Sequence, residues 1–280
     1  WSFRNEFEET EDFNVHTFID LASEMGFEAV EIMTGKAGGP PTHIGTEDVG
    51  ELEEILAYAA DRGVRITCAS TYNDFAFVQN EEWRLANIEY IKQWLRICGE
   101  AGIPNIRMLT GYYQEGEPRE KLERLTRQGI EECVPVAEEA GVNMAIENHN
   151  SIFFQADEIV ALIEEIGCPR LTACPDPSNG VKGFLSNEAN EEEREKAFRT
   201  ARTLAPFATQ SHLKVSGPDE DGCLLGWGDD LDRLIQSYYD AGYDGVIAFE
   251  AVKDASDNLE VIERARNLVE DAISRVWMAE

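Results

Sequence analysis

The sequence predicts an α/β fold, a closed (β/α)8 barrel formed as one domain over residues 1–280. Three observations carry this. Short apolar, strand-like runs alternate with amphipathic helical segments along the whole chain. The strand ends, at Glu31, Ser70, Gly111, Glu147, Asp176, His212 and Glu250, fall 29 to 41 residues apart. No GxGxxG turn occurs, which removes the usual mark of an open doubly wound sheet.

The elements follow in order. "WSF" at residues 1–3 reads as the tail of a truncated first strand, before the helix "VHTFIDLASEMG". "FEAVEIM" (27–33) is an apolar strand. The helix after it takes Thr46 as N-cap, sets Leu52, Ile55, Leu56 and Ala59 on one face and stops at Gly63. "VRITCAS" (64–70) is a strand, followed by a long helix with Ile88, Ile91, Leu95 and Cys98 on its apolar face. "PNIRMLTG" (104–111) is the next strand, and the helix beyond it is expected to bend or restart at Pro135. "VNMAIE" (142–147), "LTACPD" (171–176), "TQSHLKV" (209–215) and "GVIAFE" (245–250) complete the strands, each followed by a helix.

Composition narrows the function. Hydrophobic residues make up 43% of the chain, ordinary for a globular core, and no apolar run is long enough to span a bilayer. There are 55 acidic against 24 basic residues, a net charge of −31. Such a surface repels phosphate backbones, so neither nucleic acid nor membrane is an expected partner. It is similar to the surfaces of salt-adapted proteins; an acidic mesophilic protein is the plainer reading. The six cysteines form no CxxC pair and read as buried thiols of a reducing compartment, which points to the cytoplasm. The first residue is Trp1, so upstream residues, a removed signal peptide included, are compatible with the reading.

The polar residues sit where a barrel makes them informative. Glu147, Asp176, His212 and Glu250 stand at or near the C-terminal ends of the last four strands, and in a closed parallel barrel those ends converge on one mouth. Three carboxylates in one place require protonation or a cation. With one imidazole they suit a divalent ion with open positions: Mn²⁺, Mg²⁺ or Co²⁺ before Zn²⁺, which more often recruits further His or Cys. Each residue alone reads as readily as a helix cap, a surface acid or a packed histidine.

At this point four motifs in order, "AIENHN", "CPDPSNG", "SHLKV" and "LLGWGDDLDRLIQSYYDAGYDGVIAFE", resemble those of the xylose isomerase-like TIM barrels, the sugar-phosphate isomerase/epimerase group. The resemblance runs over nearly the whole chain. It implies metal ligands at Glu147, Asp176, His212 and Glu250, with one divalent ion, Mn²⁺ first. It implies chemistry on a ketose or keto-polyol through an enediolate, with Glu147 and Glu250 exchanging the proton, and association into a homo-oligomer. Two departures touch the substrate side: Asn179 stands where many members carry His, and Val215 where an Asp often follows the Lys. Endonuclease IV uses the same barrel with three zincs and many histidines. Here there are only His16, His43, His149 and His212.

The remaining expectations concern substrate. Lys214, two residues beyond His212 on the same strand face, is a candidate to neutralise an oxyanion or to pair with a nearby acid. His149 is placed to bond substrate hydroxyls, to act as a second acid or to bond a ligand, and Asn148, Asn150 and Asn179 to recognise a polyol or to shape turns. Arg107, inside a strand, binds a substrate oxygen or pairs with an acid such as Glu147. Phe3, Tyr72, Tyr112, Tyr113 and Trp227 offer sugar-stacking faces or core packing. His43 lies in a loop that reads as a lid. A lyase acting on a keto-inositol, and a non-catalytic sugar-binding subunit, are the alternative functions.

Overall fold

In the computed structural model of the chain, residues 1–149, 152–184, 188–216, 227, 230–251 and 258–278 are described. Helices α1 (Arg4–Glu9) and α2 (Val15–Glu24) precede β1 (Ala29–Lys36). The chain then alternates through α3 (Val49–Ala60), β2 (Arg65–Tyr72), α4 (Glu81–Ala101), β3 (Asn105–Met108), α5 (Arg119–Ala140), β4 (Asn143–Glu147), α6 (Ala156–Ile166) and β5 (Leu171–Cys174). It continues through α7 (Glu191–Leu204), β6 (Gln210–Val215), α8 (Leu231–Asp240), β7 (Val246–Ala251) and α9 (Asn258–Met278).

Local chemistry explains the boundaries. Asn14, Asp48, Asn80 and Asn190 cap their helices by accepting from first-turn backbone N–H groups. Asp48, not Thr46, is therefore the N-cap of α3; Thr46 instead accepts from the Asp48 N–H and shapes the turn before it. Gly102, Gly141 and Gly167 end α4, α5 and α6 in the left-handed conformation that glycine reaches without a Cβ clash. α5 runs through Pro135 as one helix, with no restart, because packing of its apolar face outweighs the one backbone bond that proline removes.

Strands β1 to β5 form one parallel sheet in sequence order, and β6 pairs parallel with β7. The Thr209 N–H donates to the Ala173 carbonyl (3.2 Å) and the His212 N–H to that of Pro175 (2.9 Å), which joins β6 to β5. This is the expected barrel, with one correction. Residues 1–3 form a turn into α1 rather than the end of a strand. Ser2 nevertheless serves β7 as a neighbour, its Oγ donating to the Phe249 carbonyl (3.0 Å) and accepting from the Ala251 N–H (2.9 Å). Among the described residues no ladder joins β7 to β1. A cavity of about 110 Å³ lies there, lined by Phe18, Met25, Phe27, Phe249 and Ile262, and reaching Glu31 and Glu250. β7 is accordingly half-buried from Val246 to Glu250, while β3 and β5 are buried throughout.

The apolar core divides in the same way. One cluster packs α2 to α6 on β1–β5; the other gathers Phe198, Trp227, Leu234, Tyr238 and Val269 around β6 and β7. The barrel interior, by contrast, holds buried Ser70, Arg107, Glu147, Gln210 and His212, with a partly buried Glu31. Charged groups without water need partners, and they find them in one another. Cys68, Cys98, Cys133, Cys168 and Cys174 are buried free thiols, as expected. Cys223 and Asn150 lie outside the described residues, as does much of "LLGWGDD". Among the described residues no helix is long and apolar enough to cross a membrane.

Candidate metal centre

Glu147 ends β4 at the foot of a strand buried from Met144 onward. Asp176 lies two residues past β5, in a turn fixed by Asn148: its side chain donates to the Asp176 carbonyl (2.8 Å) and accepts from the Asp176 N–H (2.7 Å). Asn148 is thus a structural clasp between the two loops. His212 and Glu250 come from β6 and β7. Each of the four offers one ligand atom, and these atoms all lie within 4.8 Å of one another. Residues spread over more than a hundred positions therefore share one small volume, three of them fully or nearly fully buried.

Cationic side chains offset part of the charge. Arg107 Nε lies 2.8 Å from Glu147 Oε2, with both side chains buried. This satisfies the pairing expected for Arg107 and engages its guanidinium, which also donates to the Thr71 carbonyl (2.7 Å). Burial alone would raise the Glu147 pKa, but Arg107 and then His212 hold it well below the ordinary carboxylate range. Lys214 Nζ donates to Asp176 Oδ2 (2.6 Å) and Asn179 Oδ1 (2.5 Å) and lies 3.6 Å from Glu250 Oε2. Burial disfavours its charge, yet Asp176 and Glu250 raise its pKa, so it remains an ammonium. Asn179 donates in turn to Glu147 Oε1 (3.1 Å).

The donor set fits a divalent cation. His212 Nδ1 is buried without a hydrogen-bond partner among the described residues and faces Glu147 Oε1 at 3.6 Å. An imidazole lone pair aimed at a carboxylate oxygen is unfavourable unless a proton or a metal lies between them. Burial disfavours the charged imidazole, but Cys174, Glu31 and Glu147 raise the His212 pKa well above its usual value. Burial pushes the Cys174 thiol up to about 11, so it is neutral near pH 7 and the two carboxylates carry the effect.

The other expected residues divide. His149 is half-buried, and its Nδ1 has no partner among the described residues. Tyr112 is 36% exposed, close enough to Tyr72, Arg107 and Glu147 to feel their charge. Trp227 does not present a stacking face: it is 0% exposed, packed edge-on against Phe184 at 4.6 Å. Its Nε1 donates to the Lys214 carbonyl (3.4 Å), so it buttresses the site strand from behind. His43 stacks on Phe7 at 4.4 Å. Glu31, named by sequence only as a strand end, proves to be part of the site: it contacts His212 Nε2 with both oxygens, at 2.9 and 3.0 Å. The signal was a carboxylate inside an apolar strand.

The chain belongs to the xylose isomerase-like TIM barrel family, whose profile matches residues 19–272. No curated protein matches it at the sequence level. Among solved structures it is similar to 3-keto-D-glucoside 4-epimerase YcjR from E. coli, apo form (TM-score 0.71, 16% identity, covering 94% of this chain and 96% of that one). It is also similar to a xylose isomerase-like TIM barrel protein from Mycobacterium smegmatis in complex with magnesium (TM-score 0.67, 15% identity, 95% and 91% covered). A third is the IOLI protein with a binding zinc atom (TM-score 0.68, 15% identity, 97% of each chain). At these identities the likeness establishes the shared fold.

Proposed function

We propose that the chain is a divalent-metal-dependent isomerase or epimerase of ketoses or keto-polyols, with Glu147, Asp176, His212 and Glu250 holding the ion. The observation that carries this reading is the convergence of those four ligand atoms within 4.8 Å. A similar epimerase fold and metal-holding neighbours support it. Mn²⁺ suits the oxygen-rich donor set best, with Mg²⁺ and Co²⁺ next.

Bound there, the ion supplies Lewis-acid polarisation of a substrate carbonyl. The chain's own residues do the rest. Glu250 is only partly buried, its side chain 19% exposed; it and Glu147 are the two groups proposed to remove and return the proton beside the carbonyl. Arg107 and Asn179 occupy one oxygen each of Glu147, which fixes its direction. Lys214, kept charged, balances negative charge that develops on a substrate oxygen. His149, two residues beyond Glu147, and the partly exposed Tyr112 are proposed to bind hydroxyl groups.

The test is incubation with ketoses and keto-polyols in deuterated water with Mn²⁺, followed by NMR. Solvent deuterium appears at the carbon beside the carbonyl, and Glu250→Gln lowers the exchange rate about 10²–10⁴-fold. Loss of water from the substrate would instead make the chain a lyase. Sugar binding without exchange or elimination would overturn the enzyme reading.

A further inference from the structure

Glu31 lies in the barrel interior beside the proposed cation site, and proton transfer gives it no task. It sits in β1 at a break in register between Val30 and Glu31, an irregularity of the kind that re-aims a side chain. We propose that Glu31 is a positioning residue for His212: it accepts a hydrogen bond from the Nε2–H, fixes the ring plane and so presents Nδ1 as the ligand atom. This rests on the cation site proposed above.

The geometry is over-determined. Both Glu31 oxygens contact His212 Nε2, at 2.9 and 3.0 Å. Neither oxygen is free to turn away. Ser70 Oγ donates to Oε1, and Gln210 Nε2 donates to Oε2 at 2.6 Å. The carboxylate is therefore held from β2 and β6 while it grips a side chain two residues along β6. At the other end of the ring, Nδ1 has no hydrogen-bond partner among the described residues and faces Glu147 Oε1 at 3.6 Å. A neutral ring with its proton on Nδ1 would set the Nε2 lone pair against both oxygens of Glu31, a buried like-with-like contact. The tautomer with the proton on Nε2 removes that repulsion and leaves the Nδ1 lone pair free for a cation. A carboxylate on the far nitrogen also makes the imidazole a better donor to a metal.

The experiment has two arms. In histidine-¹⁵N-labelled protein loaded with diamagnetic Zn²⁺, long-range ¹H–¹⁵N correlation reads the His212 ring directly. The expected pattern is a proton on Nε2 and a metal-shifted Nδ1; ligation through Nε2 overturns the proposal, and this arm needs no variant at Glu31. In the second arm, Mn²⁺ titration followed by electron paramagnetic resonance compares wild type with Glu31→Gln and Ser70→Ala, with unfolding in EDTA recorded for each. Glu31→Gln is expected to weaken Mn²⁺ binding about 10–100-fold, and Ser70→Ala less, because it removes one of the bonds that hold Glu31. Glu31→Gln binding Mn²⁺ within twofold of wild type overturns the role of Glu31 alone. A wild type that binds neither ion overturns the cation site and this role together.

Discussion

Strands β1 to β5 form a continuous parallel ladder, whereas β6 and β7 pair with each other and meet the rest of the sheet through the backbone at Ala173 and Pro175. The first region is buried strand by strand; in the second, β7 is half-buried over most of its length. The candidate ligands divide evenly between them, Glu147 and Asp176 from one side, His212 and Glu250 from the other. Side chains span the seam where the ladder does not: Glu31 of β1 to Gln210 and His212 of β6, and Lys214 of β6 to Asp176 and Asn179. The lesson is that the charged interior acts as a fastening as well as a site.

The largest expected effect comes from the buried ion pair within the first region, between β3 and β4. Arg107→Ala leaves Glu147, whose side chain is 0% exposed, without its cation. Breaking a buried pair from one side costs about 3–5 kcal/mol, measurable by urea unfolding in EDTA. Added Mn²⁺ is expected to restore part of it, since an ion in the site replaces the lost positive charge. A loss under about 1 kcal/mol, the range of an exposed pair, would show that this buried pair does not help to hold the barrel interior together.

A smaller effect tests the contact between α1 and the segment after β1. His43, in the segment after β1, stacks on Phe7 of α1, and burial lowers its pKa from 6.5 to about 4. The unfolded chain therefore takes up this proton below pH 6.5 and the folded chain only near 4. Stability is expected to fall as pH drops from 6.5 toward 4. His212, with its pKa raised, has the opposite sign: its contribution is complete below 6.5 and is lost only as pH rises. Unfolding at a series of pH values down to about 4.5, the ordinary carboxylate range, isolates His43, and His43→Gln should flatten the slope. An unchanged slope would show that the His43–Phe7 contact does not carry this pH dependence.

Much of this was legible in the sequence. The alternation of strand and helix is a local pattern, and acids or amides ending apolar strands stand out wherever strand ends converge. The unread parts are those with no local signal. Glu31 is 181 positions from His212, and only barrel closure makes them neighbours. Trp227 follows a strand as a sugar platform would, and nothing local distinguishes that from a ring packed on Phe184. Residues 1–3 carry a strand's composition, but Ser2 serves β7 through a side-chain oxygen instead of a ladder. Thr46 and Asp48 are both good caps, and only the Glu51 N–H bonding to Asp48 Oδ1 (3.0 Å) decides between them.

The central claim is a cation shared across the seam, and a Mn²⁺ titration of wild type beside Asp176→Asn and Glu250→Gln tests it most directly. The account expects one ion per chain and about 10²-fold or greater weakening in each variant, because each removes a charged ligand from opposite sides of the barrel. Binding of no ion, or equal binding in wild type and both variants, would contradict it.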